Sequence, residues 1–318
     1  MKKILVTGGA GYIGSVAVKK LIEQGHNVIV IDNLSKGIKE LVHKDATFYE
    51  ADLIDKHKVY SIFDKEKPEV VMHFASYKAA GESMKHTEKY SDNITGLIHL
   101  LDAMHTYNCK NIIYSSSAAV YGEPEYTPID EKHQTKPINY YGYTKLVGEE
   151  LLEWHAKVNN LHYVSLRYFN VIGDGGLNYI DPDAQNIVPL VMEAVARTRE
   201  NITIFGDDYD TRDGTCIRDY IDVNDLIDAH IMALNTQENV IVNLGTSHGT
   251  SVKELIAAAK KVTGTDFTVD IGHRRDGDPA TLTASNDKAK SILSWTPKKT
   301  FEESIEDTYN AYMSKKKE

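Results

Sequence analysis

A glycine-rich loop, VTGGAGYIG, connects an apolar run that begins at Ile4 to a segment with helical spacing of apolar residues. Gly9, Gly11 and Gly14 have the G-x-G-x-x-G spacing, and Gly8 begins the related G-x-x-G-x-x-G spacing. Glycines at these positions allow a tight turn and let backbone amides approach a pyrophosphate at the positive end of a helix. The loop therefore predicts a strand, turn and helix that bind a dinucleotide.

An acidic residue, Asp32, ends the next apolar run and lies 18 residues after Gly14. A carboxylate in this place accepts hydrogen bonds from the adenosine ribose hydroxyls and repels a 2′-phosphate. The pattern favours NAD over NADP, while the nearby Lys36 leaves strict selectivity open. The alternative is an ordinary glycine turn with an incidental acid.

Short apolar runs alternate with helix-length segments through the first half of the chain, and the runs are KKILVT, NVIVID, ATFYEAD, VVMHFA, NIIYSSS and HYVSLRYFN. Runs that are apolar on both faces are typical of buried parallel strands joined by crossover helices. After the first run, Ile13, Ala17 and Leu21 recur at helical spacing and Gly25 is a suitable helix stop. We predict an α/β fold with a Rossmann-type doubly wound parallel sheet.

The chain has 318 residues, which is long for one simple core, and we expect two lobes. Beyond about residue 175, DGGLNYIDPD reads as a loop and GDDYDTRDGT as a polar, turn-rich insertion. A helix near DVNDLIDAHIMAL and a strand at VIVNLG are expected to return to the main sheet. The expected division is a cofactor domain at 1–174 with a return segment at 219–245, and a smaller C-terminal substrate-binding lobe at 175–218 and 246–318.

Charge and composition exclude some classes of protein. The formal net charge of −10 argues against a nucleic-acid surface, because phosphate binding needs concentrated Lys and Arg. Only the tail SKKKE is locally basic. The apolar run in MKKILVTGG is too short for a secretory leader, and no segment approaches transmembrane length. We therefore expect no membrane partner.

The two cysteines, Cys109 and Cys216, suggest neither a disulfide framework nor a metal site. The 13 histidines are scattered, without a zinc-binding pattern. We expect no metal and a cytoplasmic location, where thiols stay reduced.

Three tyrosines surround one lysine in PINYYGYTK, residues 137 to 145. Side chains three or four residues apart share a helix face, so the spacing selects Tyr141, four residues before Lys145, over Tyr140 and Tyr143. For this fragment alone the alternative is an ordinary helix start with a solvated lysine. Beside a nicotinamide site, however, Tyr141 is a candidate general base.

A general base at neutral pH needs a large change in the tyrosine pKa. The ordinary value is about 10, so a useful phenolate requires a lowering of roughly 3 units. The Lys145 ammonium and a cationic nicotinamide ring are the groups expected to supply it.

The motifs TGGAGYIG, SSSAAVYG and YGYTK resemble those of the extended short-chain dehydrogenase/reductase superfamily. Longer strings are similar to the UDP-glucose 4-epimerase family within it: DNLSKG, HFASYKAAGES, RYFN, IFGDDYDTRDGTCIRDYI and RRDGDPA. The resemblance spans nearly the whole chain. The chain departs from the family's sequence pattern within VIGDGGLNYIDPDAQNIVP. It also departs at Tyr140, where many relatives have proline.

The resemblance implies an NAD-dependent interconversion of UDP-glucose and UDP-galactose. Hydride leaves C4 of the sugar, the 4-keto sugar turns over, and hydride returns to the opposite face. The implied catalytic residues are Tyr141, Lys145 and Ser117, the last bonding the sugar near the reacting hydroxyl. NAD should stay bound, since no external reductant is consumed.

The resemblance also implies the residues that contact NAD. Asp32 and Asn33 would bind the ribose, Asp52 the adenine side, Lys78 the nicotinamide ribose and Asn93 the pyrophosphate. The full implied set is Gly8, Gly11, Tyr12, Ile13, Gly14, Asp32, Asn33, Asp52, Leu53, Phe74, Ala75, Lys78, Asn93, Tyr141, Lys145 and Tyr168.

A second set is implied for the UDP-sugar. Arg218 and Arg275 would grip the diphosphate, where charged forks suit phosphates, although either arginine alone would more often be a surface ion pair. Phe205 would lie beside the uracil. Leu282 would line the sugar pocket and favour glucose and galactose over N-acetylated sugars, or would instead pack under its loop. The implied set is Ser117, Tyr141, Asn170, Asn186, Phe205, Arg218, Arg275, Asp278 and Leu282.

Several alternatives remain at this stage. A nucleotide-sugar dehydratase or decarboxylase shares the fold, but Ala118 and Ala119 stand where dehydratases have an Asp-Glu pair. Other readings are a UDP-N-acetylglucosamine or UDP-pentose 4-epimerase, a dehydrogenase of a free sugar, and a non-catalytic NAD-binding protein. A homodimer is expected through the helices around NITGLIHLLDAM and TKLVGEELLEWHA, whose apolar residues would otherwise face their own sheet.

Overall fold

The computed structural model describes residues 1–182, 184–275 and 278–315. Asp276 and Gly277 of the RRDGD motif and the end of the SKKKE tail therefore lie outside the described residues. The chain divides into two compact units. The first unit comprises Met1–Gly122, Gln134–Arg167 and Ala229–Val242, and the second comprises Glu123–His133, Tyr168–Asp228 and the chain from Asn243 onward.

This division differs from the boundaries expected from the sequence. Residues 123–133, 168–174, 219–228 and 243–245 pack with the second unit rather than with the first. The sequence pattern marks strands and helices, whereas the two units are defined by packing. A strand or helix can therefore begin in one unit and end in the other.

The first half of the chain alternates strands and helices. Its elements are β1 (Lys3–Thr7), α1 (Tyr12–Glu23), β2 (Asn27–Asp32), β3 (Thr47–Glu50), α2 (Lys56–Glu66), β4 (Val70–His73), α3 (Ala80–Ser83), α4 (Thr87–Thr106), β5 (Asn111–Ser117), α5 (Tyr140–Asn159) and β6 (His162–Tyr168). All six predicted apolar runs form strands.

The second half contains shorter strands. Its elements are β7 (Asn170–Ile172), α6 (Ile187–Val195), β8 (Asn201–Phe205), β9 (Ile217–Asp222), α7 (Val223–Ala233), β10 (Val240–Leu244), β11 (Gly249–Ser251), α8 (Val252–Thr263), β12 (Thr268–Gly272), β13 (Thr281–Leu282), α9 (Asp287–Leu293) and α10 (Phe301–Lys315). None of these described helices is long and apolar enough to cross a membrane.

Seven strands form the main sheet, in the order β10-β6-β5-β4-β1-β2-β3. β1 is parallel to both β2 and β4, and β2 to β3 and β4 to β5 are parallel as well. The predicted fold class is confirmed, and VIVNLG returns to the sheet as predicted. Because parallel strands share an edge at their carboxyl ends, Gly8, Asp32, Phe74 and Ser117 all follow or end strands at that edge.

The core of the first unit forms where α2 and α4 cover the sheet. Leu97, Leu100 and Leu101 of α4 are at most 1% exposed, and they belong to one apolar cluster with Phe63 of α2 and Leu5 of β1. The spacing of three and four residues places the α4 leucines on one helix face. Burial of that face fixes α4 against the sheet.

Helix α5 begins at a definite residue because Asn139 caps it. The Asn139 side chain accepts a hydrogen bond from the backbone N–H of Gly142 at 2.8 Å, as an N-cap residue does. Tyr141 therefore lies in the first turn of α5, and Lys145 lies one turn further along the same face.

The second unit has its own sheets and core. β9 pairs with β11, β13 and β7, and β8 pairs in parallel with β12. Its apolar cluster includes Val191 and Met192 of α6, Leu255 of α8 and Ile305 of α10, each fully buried. The helix α8 starts with a capping box formed by Ser251 and Glu254.

Candidate functional site

The glycine loop packs so tightly that larger residues would not fit. Gly8 has φ +72°, and a Cβ on Gly8 would lie 2.7 Å from the backbone nitrogen of Ala75. A Cβ on Gly14 would lie 2.1 Å from the carbonyl oxygen of Gly8. Helix α1 begins after Gly11, which has no side chain to cap it. The first amides of α1 are thus placed for an anion, as a dinucleotide site requires.

An open cleft lies beside this loop in the first unit. Nine of the residues that the resemblance assigned to NAD line it: Gly8, Gly11, Asp32, Asn33, Asp52, Leu53, Phe74, Ala75 and Asn93. They come from the ends of four neighbouring strands and from α4. Tyr12, Ile13 and Gly14 lie in the first turn of α1, next to the cleft in sequence.

Asp32 is oriented by two backbone amides. Its Oδ2 accepts from the N–H of Ala10 at 3.0 Å, and its Oδ1 accepts from the N–H of Leu34 at 2.8 Å. Burial raises the pKa of this carboxyl group, and the two hydrogen bonds oppose that rise. Each oxygen keeps acceptor capacity for a further donor, so the carboxylate fits a ribose diol. Next to it, the amide of Asn33 donates to Asp52 at 2.8 Å.

Asn93 holds the loop that follows β4. Its Oδ1 accepts from the backbone N–H of Tyr77 at 2.9 Å, and its Nδ2 lies 3.1 Å from the Tyr77 carbonyl oxygen and 3.2 Å from Thr144 Oγ1. Asn93 thus orients the cleft wall as well as lining it. Lys78, the next residue in this loop, is exposed.

Tyr141, Lys145 and Ser117 lie together in the first unit. The Lys145 Nζ is 5.9 Å from the centre of the Tyr141 ring, and the Ser117 side chain is near enough to the Tyr141 phenol to lower its pKa. The backbone N–H of Tyr141 donates to Ser83 at 3.0 Å. The other tyrosines have different surroundings: the Tyr140 phenol is 2.8 Å from the Ser91 hydroxyl, and Tyr143 is 49% exposed.

The electrostatics of this group differ from the expectation. Burial raises the pKa of Tyr141, and the hydrogen bond from Ser117 only partly opposes it. Burial also lowers the pKa of Lys145 to about 7, against the opposing charge of Glu149. The protein side chains therefore do not produce the predicted lowering at Tyr141, because desolvation of the phenolate outweighs them.

Lys145 is 3% exposed and has two neighbours that the sequence did not single out. Its Nζ donates to the carbonyl oxygen of Ser115 at 2.7 Å and lies 5.2 Å from the centre of the Tyr114 ring. The His73 ring stacks on Tyr114 with the centroids 5.7 Å apart. Both aromatic residues stand inside apolar runs, so the pattern treated them as core. The available signal was that His73 ends β4, at the edge of the sheet where the cofactor loop lies. Tyr114, in the middle of β5, gave no such signal.

A buried ion pair fixes α5 to β6 next to Lys145. Arg167 donates through Nε to Glu149 Oε1 at 2.9 Å and through Nη2 to Oε2 at 2.6 Å. Its Nη1 donates to the Tyr121 phenol at 2.8 Å, and Ser165 donates to Glu149 at 3.1 Å. Such a two-point bond between guanidinium and carboxylate constrains both orientation and distance.

In the second unit, Phe205 and Arg275 contact each other. The Arg275 guanidinium carbon lies 3.8 Å from the centre of the Phe205 ring. Phe205 ends β8 and is paired with Gly272, which ends β12. The segment that follows Gly272 therefore starts next to Phe205, and Arg275 lies in that segment. Both side chains are exposed, which leaves the stacked pair accessible to a ligand.

Arg218 is held next to Leu282 in the same unit. Its Nη1 donates to the carbonyl oxygens of Pro279 at 2.7 Å and Ile217 at 2.9 Å, and its Nη2 is 3.5 Å from Asp278. The pairing of β9 with β13 puts Leu282 opposite Arg218. Leu282 is half-buried rather than part of the core.

Asp219, which the sequence did not single out, organises this region. Its buried carboxylate accepts from the backbone N–H groups of Thr246 at 2.7 Å, Ser247 at 3.0 Å and Ala284 at 3.1 Å, and from the Thr246 hydroxyl at 2.7 Å. Burial raises the pKa of Asp219 against these four bonds. One side chain therefore joins β9, the turn after β10 and the segment after β13.

The remaining predicted residues are placed as follows. Asn170 begins β7 and pairs with Tyr220 of β9, whereas Asn186 precedes α6 with an exposed side chain. Tyr168 ends β6 and is 7% exposed. The structure gives these three residues definite positions, and their roles stay predictions.

Comparison with known proteins gives a family match. The model of the NAD dependent epimerase/dehydratase family matches residues 4–245. A UDP-glucose 4-epimerase from Lactobacillus helveticus is 46% identical over 304 residues, which cover 93% of this chain and 92% of that relative.

Solved structures give the same match. A crystal structure of a UDP-glucose 4-epimerase superposes with a TM-score of 0.95 at 42% identity and covers 99% of this chain and 98% of its own. A UDP-glucose-4-epimerase from Stenotrophomonas maltophila, with bound NAD and formylated UDP-arabinopyranose, also has a TM-score of 0.95, at 35% identity. It covers 100% of this chain and 99% of its own.

Proposed function

The chain belongs to the NAD dependent epimerase/dehydratase family, and from this premise we propose that it interconverts UDP-glucose and UDP-galactose at C4 of the sugar. One observation carries the proposal at the site itself. A tyrosine, a lysine and a serine with the required chemistry, Tyr141, Lys145 and Ser117, lie together in the unit that contains the dinucleotide cleft.

The cofactor is NAD, and the residues of the cleft fit it. The amides at the start of α1 would bind the pyrophosphate, and Asp32 would bind the adenosine ribose with the two oxygens that Ala10 and Leu34 hold in place. We assign Asn93 to orientation of the loop after β4, since its amide already bonds Tyr77. When bound, NAD supplies the acceptor and the donor of hydride.

The chain's own residues handle the proton. Tyr141 accepts the proton of the sugar 4-hydroxyl and returns it after the sugar has turned over, while Ser117 donates to or accepts from the same oxygen. Lys145 carries the positive charge that favours the Tyr141 phenolate. Because burial alone raises the pKa of Tyr141, this charge and that of the cofactor are needed together.

The second unit would hold the UDP-sugar. Phe205 offers a ring face to the uracil, and Arg275 and Arg218 offer cationic forks to the diphosphate. Leu282, opposite Arg218 in the β9–β13 pairing, would face the sugar. Asn170, Asn186 and Asp278 complete the proposed substrate set.

The residues after β5 favour epimerisation over dehydration. Ala118 and Ala119 form a short 3-10 turn directly after Ser117. Methyl groups cannot shuttle the proton that elimination across C5 and C6 requires. The geometry at the catalytic serine therefore supports a reaction confined to C4.

We also propose a homodimer, a cytoplasmic location and a role in galactose metabolism. Helices α4 and α5 carry exposed apolar side chains, with Ile98 at 39%, Trp154 at 63% and Val158 at 71% exposure. Trp154 and Val158 are four residues apart and so share one face of α5. A second copy of the chain is the proposed partner for this face.

The test is incubation of the purified protein with UDP-galactose and no added NAD, followed by product analysis. UDP-glucose should accumulate to equilibrium while the bound cofactor is not released. Parallel incubations with UDP-N-acetylgalactosamine and UDP-arabinose define the sugar. Stoichiometric release of NADH would indicate a dehydrogenase instead, and absence of any product would indicate a non-catalytic NAD-binding protein.

A further inference from the structure

We propose that Tyr114 is a positioning residue for Lys145, and that the face of its ring holds the ammonium group beside Tyr141. The inference rests on the proposed role of Lys145. It adds a residue from β5 to a site whose proposed catalytic groups are Tyr141, Lys145 and Ser117.

The first observation is the small number of groups around the buried ammonium. An ammonium has three donors, and the carbonyl oxygen of Ser115 accepts from one of them at 2.7 Å. The centre of the Tyr114 ring is 5.2 Å from Nζ and that of Tyr141 is 5.9 Å away. Both distances are within the range of a cation–π interaction. Tyr114 is therefore the nearer of two aromatic faces around a desolvated charge.

The second observation is that Tyr114 is fixed from two sides. The His73 ring stacks on it with an interplanar angle of 13°, and Thr7 lies 2.7 Å from His73 Nδ1. On the α5 side, a Cβ built on Gly148 would lie 2.2 Å from the Tyr114 hydroxyl oxygen. Gly148 follows Lys145 by three residues and shares its helix face. The missing side chain at Gly148 therefore lets α5, and Lys145 with it, approach the ring.

The charged and titratable groups around Lys145 stabilise its ammonium only weakly, so the Tyr114 ring can contribute to that stabilisation. Glu149 on α5 attracts the ammonium, but its carboxylate is already bonded twice by Arg167 of β6. His73 of β4 is held neutral, because burial and the Lys145 charge lower its pKa to about 3. Burial raises the pKa of Tyr141, which favours the uncharged phenol over the phenolate and leaves no anion there to pair with the ammonium. Removal of the Tyr114 ring face should thus destabilise the ammonium relative to the free amine.

The experiment measures the titration of Lys145 directly in the purified protein with its cofactor. In protein labelled with [ε-13C]lysine, one resonance should titrate near neutrality and disappear in Lys145→Met. In Tyr114→Leu we expect the pKa of this resonance to fall by about half a unit to one unit, as loss of a buried cation–π contact implies. Tyr114→Phe keeps the ring and should keep the titration.

The matched control is Tyr163→Leu. It removes a tyrosine ring from the same apolar cluster, but the ring it removes is not the one that contacts Lys145. An unmoved Lys145 resonance in Tyr114→Leu, or an equal movement in Tyr163→Leu, would overturn the inference. If Tyr114→Leu does not fold, Gly148→Ala displaces the ring from the helix side and should give the same fall. Near-normal turnover in Lys145→Met would instead refute the catalytic role of Lys145, and absence of product with the wild type would refute the proposed function. Both outcomes leave the titration result standing.

Discussion

Arg275 and Phe205 form a stacked pair at the ends of two paired strands, with the guanidinium carbon 3.8 Å from the ring centre. The stacking occupies one face of the guanidinium and leaves its N–H donors in the plane of the group. A diphosphate approaching in that plane can be bonded twice, while the ring remains the nearest aromatic surface for a base.

Arg275→Leu should weaken the binding of UDP by roughly 10- to 100-fold, because each charge-assisted bond to phosphate contributes about 1.5–3 kcal/mol. Isothermal titration with UDP measures the change. Arg199→Leu is the matched control, since Arg199 pairs with Glu193 at 2.8 Å elsewhere in the same unit. Unaltered affinity in Arg275→Leu would remove this residue from the phosphate site.

Tyr141→Phe should lower kcat by at least ~100-fold, the lower end of what general-base catalysis contributes. Bound NAD, measured by absorbance after denaturation, should stay near the wild-type content because folding does not depend on the phenol proton. Tyr140→Phe loses only the contact with Ser91 and should retain turnover. Comparable losses in both variants would point to helix disruption rather than to a base.

Leu282→Ser should raise kcat/KM for UDP-N-acetylglucosamine relative to UDP-glucose by ~10-fold or more, since relief of a steric clash is typically worth about 1–3 kcal/mol. The half-buried position of Leu282 opposite Arg218 makes the substitution tolerable for folding. Steady-state kinetics with both sugars give the ratio. An unchanged ratio in a folded, NAD-loaded variant would place sugar selection elsewhere, most simply in the loop from Asp174 to Asn186.

His73 should make the protein sensitive to acid. Its pKa is about 3 in the folded state because burial excludes the charged form, against 6.5 for an ordinary histidine. Between these values the unfolded chain binds a proton that the folded chain does not, so stability is lost as pH falls from 6.5 towards 3. The contribution is at most about 1.4 kcal/mol per pH unit.

Urea unfolding at pH 7 and pH 5 tests this linkage. His73→Phe keeps an aromatic ring against Tyr114 but cannot titrate, so its free energy of unfolding should vary less with pH than that of the wild type. His57→Phe changes an exposed histidine of the same unit and should retain the wild-type dependence. Identical pH slopes for the wild type and His73→Phe would refute the role of His73.

Trp154→Glu should convert the proposed dimer to a monomer, because it places a charge beside Val158 on the exposed face of α5 that the second copy would cover. Sedimentation velocity measures the change, and Tyr126→Glu, which alters another exposed aromatic residue, is the control. A wild-type protein that sediments as a monomer would refute the proposed dimer directly.

The sequence predicted the main sheet well because most of its strands, such as β1, β2 and β4, are buried on both faces and therefore read as continuous apolar runs. The edge strand β3 has no buried residue and is the exception. The glycine loop and Asp32 were predictable for a related reason, since their chemistry depends on local spacing. By contrast, β8 and β12 pair across 66 residues, from Ile202 to Val269 for example, and no local pattern encodes such a pairing.

In the catalytic group, too, features that depend on local spacing were predictable from the sequence, and features that depend on tertiary packing were not. Helical spacing alone selected Tyr141 with Lys145, but the raised pKa of Tyr141 depends on how the whole unit excludes water from the phenol. Likewise, Tyr114 and His73 look like ordinary core residues in the sequence, and only packing brings them to the ammonium.

The hydrogen bonds of Asp219 affect where chains with this architecture can gain or lose residues. The chain leaves this carboxylate after Ser247 and returns to it at Ala284, so both ends of the intervening stretch share one anchor point. Insertions or deletions within that stretch can change the loops between its helices and strands without changing where β13 begins. The frame around Arg218 and Leu282 is thereby insulated from length variation in the segment that carries Arg275.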